Sequence, residues 1–383
     1  MRISTLSVRD IRSIVAADIT LARHFTFITG PNGAGKTNLL EGVHLLATLR
    51  PLTTSVPQEL VRHGSALASV EGVLDGGVLP LGVRVAVERG RRRAFVGGKP
   101  LRDADAYLGT VPTVAFTPDD MRLVKEGPGA RRGFVARCSV ELWPAARDEL
   151  KRLDRSLKQR AAALKRNAAG PVLQALEAPL IQAAVQVWRR RERTVDAVRP
   201  HAQRWLAGLL GGKSLGMTLV PGVDERTLPI FAELDDAHRA TTLEAMLERS
   251  IDEDRRRATT SFGPHHDEIE LTLDGTDARK FASQGQQRCV SLALTLGVVD
   301  AVHQARATAP LVLLDDVSSE LDEGRRTALF AALADAGCQV VATGTDVGLM
   351  PLPAGFQGEV RHYGAHAGTF EALEFPGGNL GSG

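Results

Sequence analysis

The chain has 383 residues, and its 47 lysines and arginines nearly balance 45 aspartates and glutamates, for a formal net charge of +2. At 43% hydrophobic and 24% charged it has globular composition, which excludes wholesale disorder. The neutral balance excludes whole-protein basicity as a reason to expect nucleic acid, so any such surface must be a local patch. At about 150 residues per domain the length fits two or three domains, or one large core with an insertion. Three cysteines, Cys138, Cys289 and Cys338, stand too far apart to suggest a disulfide framework or a metal signature. Residues 1–10 alternate apolar and polar types, and no stretch approaches the ~20 apolar residues of a membrane span. A soluble cytoplasmic protein is expected.

Residues 1–29 read as short strands: Ile3, Leu6 and Val8, then Ile19 and Leu21, then Phe25, Phe27 and Ile28 running into a glycine loop. A helix is predicted from about Lys36, with Leu39, Leu40, Val43, Leu46 and Leu49 on one stripe, ending near Pro51. From 66 to 116 the pattern is β. Val83, Val85 and Val87 alternate, and Asp75-Gly76 and Gly97-Gly98 mark turns. From about 142 to 210 it becomes helical. One stripe carries Leu150, Leu153, Leu157 and Leu164, and a second carries Leu173, Leu176, Leu180, Ala184 and Val187, with Pro171 opening it and Pro179 breaking or bending it. Three to four turns per stripe fit a helical hairpin of a subdomain. Past a glycine-rich stretch at 210–216 the chain returns to mixed α/β. Residues 311–314 form a continuous apolar strand, the pattern of a sheet covered on both faces, and Val340 with Val341 suggest another.

The strongest chemical signal is GPNGAGKT at 30–37, which satisfies G-x-x-x-x-G-K-[ST] between a predicted strand and a predicted helix. Small residues let the backbone N–H groups of Gly30, Pro31 excepted, Asn32, Gly33, Ala34 and Gly35 turn toward phosphate, and the helix start at Lys36, Thr37 and Asn38 adds partial positive charge. Lys36 can span β- and γ-phosphates, and the Thr37 hydroxyl can ligate Mg²⁺. The second signal is LVLLDD at 311–316. An apolar strand ending in two carboxylates delivers Asp315 to a metal shell at the sheet edge, and Asp316 can orient or deprotonate a water. The third is SQGQQR at 283–288, ahead of an apolar helix with Val290, Leu292, Leu294 and Leu296. Ser283, Gly285 and Gln286 there offer a hydroxyl and free N–H groups to phosphate, and a plain helix cap accounts for the same residues equally well. One chain with a P-loop needs no second phosphate motif, whereas a second chain docked against it does.

The order of these three motifs, with SELD at 319–322 directly behind the last, resembles the ABC-type ATPase heads. Residues 38–282 separate P-loop and signature, too few for the coiled coils of SMC proteins. TNLLE (37–41), FTPDDMRLVKEGPGARR (116–132), LKQRAAALK (157–165), SFGPHHDE (261–268) and DARKFASQGQQR (277–288) are similar to segments of the RecF family. The resemblance implies an α/β fold: an ABC-type ATPase head with a mixed sheet around the P-loop and a helical subdomain inserted before the signature. It implies lobe I from 1–140 and 256–375, a mainly helical lobe II at 141–255, and a frayed tail at 376–383. It further implies ATP and Mg²⁺ as cofactors, weak ATPase activity through Lys36 and Asp316, and metal ligation by Thr37 and Asp315. ATP would sit between Gly30–Asn38 of one chain and Ser283, Gly285 and Gln286 of another in an ATP-dependent homodimer. Double-stranded DNA beside single-strand gaps, RecR, and help in RecA loading are the partners and role it carries, with no membrane involved.

Several positions depart from that family's pattern: His266 stands for an arginine, Ser318 for a phenylalanine, Gly133-Phe134-Val135-Ala136 follows Arg132, and RPLTTS at 50–55 is less basic. A histidine switch of transporter type is replaced near Thr343 to Thr345, and no Q-loop glutamine stands out. Basic patches that suit DNA phosphates are Arg91, Arg92 and Arg93 with Arg89 and Lys99, Arg189, Arg190 and Arg191 with Arg193, and Arg255 to Arg257. Nearby Glu88, Glu192, Asp252 and Asp254 offset some of this charge. An ATP-gated, non-hydrolysing scaffold and a transporter-type ATPase subunit are the competing functions.

Overall fold

The computed structural model describes residues 1–375 apart from 55, 103, 108, 121, 122 and 317–320. Ser318, Ser319 and the tail at 376–383 therefore lie outside the described residues. The chain divides into two compact units, one of residues 1–120 and 302–383 and one of residues 121–301.

The first unit opens with β1 (Arg2–Ile11), β2 (Ile14–Thr20), β3 (Phe25–Thr29) and α1 (Lys36–Thr48). Strands β4 (Leu67–Asp75), β5 (Leu81–Glu88), β6 (Arg91–Val96) and β7 (Lys99–Pro100) follow, then the single turn α2 (Ala104–Tyr107) and β8 (Thr113–Phe116). The second unit runs through α3 (Pro128–Leu142), α4 (Ala146–Lys165), α5 (Gly170–Leu209) and β9 (Leu215–Val220). It continues with α6 (Leu228–Phe231), α7 (Asp236–Arg249), α8 (Ile251–Arg257), β10 (Glu268–Leu273), β11 (Thr276–Asp277), α9 (Ala278–Phe281) and α10 (Gln284–Arg306). The chain then completes the first unit with β12 (Leu311–Leu314), α11 (Glu323–Asp335), β13 (Gln339–Gly344), β14 (Val360–His366) and β15 (Thr369–Leu373).

Two six-stranded sheets build the first unit. One is antiparallel, in the order β2-β1-β4-β5-β6-β7, and the other is mixed, in the order β15-β14-β3-β13-β12-β8. The valine alternation on β5 turns one face inward, so Val83, Val85 and Val87 are buried while Gly82, Arg84 and Glu88 are exposed. Helix α1 is buried nearly all round because both sheets cover it. Leu39, Leu40, Val43 and Leu46 are fully buried in one core with Val8 and Val70 of the antiparallel sheet and Leu311, Leu313 and Val341 of the mixed one. Each such side chain contributes about 1.5–3 kcal/mol by leaving water. The opposite face of the mixed sheet is covered too: Phe25 and Phe27 pack on Phe330 of α11 at 5.9 and 5.7 Å. That two-sided cover is why β3, β12 and β13 read as unbroken apolar runs. Gln339 fastens the sheets together, its amide bonding both the N–H and the carbonyl of Ile3 at 3.0 and 2.7 Å.

The second unit is built on α4 and α5, an antiparallel hairpin with a small sheet, β11-β10-β9. Helix α5 runs 40 residues and continues through Pro179, so the proline does not break it. A proline inside a helix removes one hydrogen bond and crowds the preceding turn, at about 3 kcal/mol or more. Burial of Leu173 before it and of Leu180, Ala184, Val187 and Trp188 after it offsets that cost. The unit boundaries also fall wider than the expected 141 and 255. Arg131 on α3 grips Glu268 at the start of β10 through two 2.7 Å bonds. Asp267 beside it accepts from Trp188 at 2.8 Å and Arg191 at 2.5 Å, both on α5. These pairs draw 121–140 and 256–301 into the helical unit. Asp300 does the same for α10, accepting from Arg204 and Trp205 of α5 at 2.6 Å each.

The SFGPHHDE segment lies inside this ionic network. Arg160, fully buried, bonds Glu177, Asp254 and the Thr260 hydroxyl. His265 and His266 both approach the Thr260 carbonyl through Nε2, at 2.8 and 2.9 Å, and so both must carry the Nε2 proton. Burial pushes the His265 ring down to about 4, and the charges of His266, Arg132 and Arg191 act in the same direction. Between that value and the ordinary 6.5 the unfolded chain binds a proton that the folded chain does not. The ring's contribution to stability is therefore complete above pH 6.5 and lost as pH falls toward 4. Urea midpoints should drop across that window and the drop should be shallower in His265→Gln; parallel pH profiles would place its source elsewhere.

Candidate functional site

Strand β3 ends at Thr29, and residues 30–35 turn the chain from the sheet edge into α1. Gly35 takes φ 99° as the cap of α1, a conformation a side chain disfavours. Gly30 passes so close to Ala365 on β14 that a Cβ would collide with its carbonyl. The β14–β15 turn backs the loop directly, with the Gly368 N–H donating to the Ala34 carbonyl at 2.9 Å. On the helix side Asn38 donates to the Ser13 hydroxyl at 2.7 Å. The loop is thus fixed from two sides before any ligand enters. Lys36 is buried and its ammonium donates to the carbonyls of Gly30 and Pro31 at 2.6 and 3.0 Å, at the mouth of its own loop.

Strand β12 lies between β13 and β8, parallel to both, and delivers Asp315 to the same edge. The Thr37 hydroxyl is 3.0 Å from both Asp315 oxygens. Thr343, the one hydroxyl residue on buried β13, donates to Asp315 at 2.8 Å and accepts the Asp316 N–H at 3.0 Å. The Asp315 N–H donates to Phe116 at the end of β8, 2.9 Å away. Burial raises the Asp315 carboxyl above the usual carboxylate range, and the bonds from Thr343 and Thr37 oppose that shift. A desolvated carboxylate beside a threonine hydroxyl is a hard-oxygen pair suited to Mg²⁺. Asp316 adopts φ 50°, in the left-handed region that aspartate tolerates better than most side chains.

The fold brings Gly30 to Asn38 and Asp315 to one sheet edge, where Thr343, Ser13 and the β14–β15 turn support them. Thr343 had a visible signal, a hydroxyl in the apolar run Val340, Val341, Ala342. Ser13 and Gly368 had none, because the contacts that matter are made by a turn and a backbone group.

The signature residues belong to the second unit. Ser283 and Gln286 form a reciprocal cap of α10, with the Gln286 N–H donating to Ser283 Oγ at 3.3 Å and the Ser283 N–H to Gln286 Oε1 at 2.8 Å. The helix-cap role is therefore real. Ser283 and Gly285 are exposed, and the cap bond uses only an acceptor site of the Ser283 hydroxyl, so its donor remains available.

The basic runs separate by direction. Arg91, Arg92 and Arg93 on β6 are all exposed, with the Arg92 guanidinium also bonded to the Leu49 carbonyl. Of the second run only Arg189 and Arg193 face water. Arg190 pairs with Glu149 at 2.7 Å and covers Trp143, and Arg191 is buried on Asp267 and the Pro264 carbonyl, so these two are structural rather than a DNA surface. Arg256 and Arg257 pair with Glu253, and Arg255 bonds the Ala168 carbonyl.

If the loop carbonyls hold Lys36 only until a phosphate replaces them, Lys36→Ala should weaken ATP binding by about 2 kcal/mol, roughly 30-fold. Calorimetric titration of wild type and variant checks this, and equal affinities would remove the phosphate-binding role.

The family model described as RecF/RecN/SMC N terminal domain matches residues 2–351. The DNA replication and repair protein RecF of Anaeromyxobacter sp. (strain Fw109-5) is 38% identical over 361 residues, covering 93% of this chain and 95% of that protein. Its counterpart of the same name in Myxococcus xanthus (strain DK1622) is 39% identical over 358 residues, covering 91% and 92%. The recombination mediator protein RecF, solved as RecF-ATP in the RecFOR pathway, has the same fold at a TM-score of 0.85 and 23% identity, covering 97% of both chains. No helix among the described residues is long and apolar enough to cross a membrane. With the P-loop and Asp315 converging at one sheet edge and relatives alike along nearly their whole length, the chain belongs to the RecF family and has the ABC-type ATPase head fold.

Proposed function

We propose that this chain is a cytoplasmic, ATP-dependent DNA-binding clamp of recombinational repair and replication restart. The observation that carries the reading is the meeting of Thr37, Asp315 and Lys36 at the mouth of one pre-formed phosphate loop. The name shared by its relatives, DNA replication and repair protein RecF, supports the biological setting. Lys36 and the N–H groups of 30–38 bind the triphosphate. Thr37 and Asp315 would hold Mg²⁺, which when bound neutralises charge on the β- and γ-oxygens. Asp316 orients the attacking water and accepts its proton. Ser283, Gly285 and Gln286 of a second copy complete the γ-phosphate cage, so ATP favours a homodimer and slow hydrolysis reopens it. Weak turnover suits this role, because the nucleotide acts as a timer for a clamp and not as a source of repeated work.

Duplex DNA beside single-strand gaps, RecR as partner and assistance in RecA loading complete the proposal. Arg91 and Arg93 are the DNA contacts favoured by their exposure. Phosphate contacts of that kind tolerate sequence and weaken with salt.

Asp316→Asn should still bind ATP, slow turnover by about 100-fold or more, and accumulate dimer. Hydrolysis at the wild-type rate would assign the water to another residue. Wild-type dimers that form on ATP yet release no phosphate on DNA would establish the non-hydrolysing scaffold instead.

Ser283→Arg tests the composite cage. Loss of the α10 cap should lower apo stability by about 1 kcal/mol, while monomer ATP affinity stays intact and ATP-dependent dimerisation disappears. Sedimentation velocity with ATP is the measurement, and a variant that still dimerises would overturn the composite site.

A further inference from the structure

The chain has 12 Phe, 2 Tyr and 3 Trp, and nearly all of them are buried or half-buried. Phe281 is the exception, with 73% of its surface exposed. A lone exposed apolar side chain needs no explanation by itself. This one stands two residues before Ser283, on a turn that is held from both ends. The Asp277 carboxylate accepts the N–H groups of Arg279 and Lys280 at 2.8 and 3.4 Å. The Gln287 amide reaches back from α10 to the carbonyls of Ala278, Arg279 and Ala282 at 3.5, 3.4 and 3.2 Å. Helix α9 is thus capped at its donors and its acceptors, and the ring is presented on a fixed support. Exposed Arg279 and Lys280 flank it.

A pre-organised aromatic face beside two exposed cations and an exposed, capped helix start suits one ligand chemistry, an aromatic base attached to a polyphosphate. The two peptide units from Phe281 to Ser283 span at most about 7 Å, and the side chain adds about half that again. A ring at Phe281 can therefore reach the sugar or base of a nucleotide whose γ-phosphate rests on Ser283. We propose that Phe281 packs on the adenine of the ATP held by the P-loop of a second copy of this chain, and that it makes the closed dimer selective for a nucleotide over bare triphosphate. This rests on the composite cage proposed above, and adds a base contact to a site otherwise built for phosphate. Among the described residues of the first unit no phenylalanine, tyrosine or tryptophan is exposed.

The test compares wild type, Phe281→Ala, Phe281→Trp and Ser283→Arg by sedimentation velocity, with ATP and separately with inorganic tripolyphosphate. Aromatic–base stacking is typically lost at about tenfold per base on truncation to alanine. A twofold dimer holds two bases, so Phe281→Ala should weaken the ATP-driven dimer by about 100-fold. Its apo melting temperature and monomer ATP affinity should not move, because the ring is exposed and acts only across the seam. Phe281→Trp should dimerise like wild type, and its added fluorescence should be quenched on ATP-driven dimerisation relative to wild type. Any dimer formed on tripolyphosphate should be indifferent to Phe281→Ala. Wild-type ATP-dependence in Phe281→Ala, with Ser283→Arg still monomeric, would sink the base contact and leave the composite cage standing. A wild-type chain that stays monomeric on ATP would sink both.

Discussion

The Thr37 hydroxyl and the Asp315 carboxylate, 278 positions apart in sequence, meet at 3.0 Å, and much of the first unit exists to make that meeting possible. Asp315 is expensive to place there. Its carboxylate is nearly withdrawn from water, and burial pushes its proton affinity up. The position is tolerable because Thr37 and Thr343 both donate to it, and because a phosphate-bound cation would convert a desolvated charge into a strong ligand.

Pre-organisation of the phosphate loop follows the same logic. The loop accepts no support from α1 alone, since the first turn of a helix has N–H groups without internal partners. Support comes from the β14–β15 turn through Gly368 and from Ser13 between β1 and β2. They stand at opposite ends of the sequence, and each sits in a turn that joins two paired strands, one turn in each of the two sheets that enclose α1. The loop's geometry is thus an outcome of the sandwich. Mutations that loosen either sheet should be read for their effect on nucleotide affinity as well as on stability.

What was legible in the sequence divides along physical lines. Periodicity exposed β5 and the apolar strands β12 and β13, because each answers to one clear environment, an alternating face or cover on both faces, whereas the single stripe expected on α1 became burial nearly all round. The P-loop and the aspartates were legible because phosphate and metal chemistry restrict residue type and spacing together. The continuity of α5 through Pro179 was not, since the cost of a proline is local and visible, whereas the burial that offsets it depends on helices far away in sequence. The directions of Arg190 and Arg191 were hidden for a similar reason. A run of arginines on a helix distributes them around its circumference, and only the position of Glu149 and Asp267 decides which turn inward. Charge runs counted along a sequence overstate the charge a partner can meet.

The same separation between sequence neighbours and structural roles governs the signature. Ser283 carries two loads that look exclusive and are compatible. Its oxygen accepts the Gln286 N–H to cap α10, and that leaves the hydroxyl proton free to be donated elsewhere, since a hydroxyl has one donor and two acceptor sites. A cap fixes the residue in space at little cost to its remaining hydrogen-bonding capacity. The reciprocal bond from Gln286 removes the side-chain freedom that would otherwise have to be lost when a phosphate arrives. The helix cap and the proposed anion cage would then be successive uses of one geometry. The cap reading competes with a phosphate role when only the letters SQGQ are considered, but in three dimensions the two are compatible, because the cap fixes a short polar turn without using the donor that the proposed cage requires.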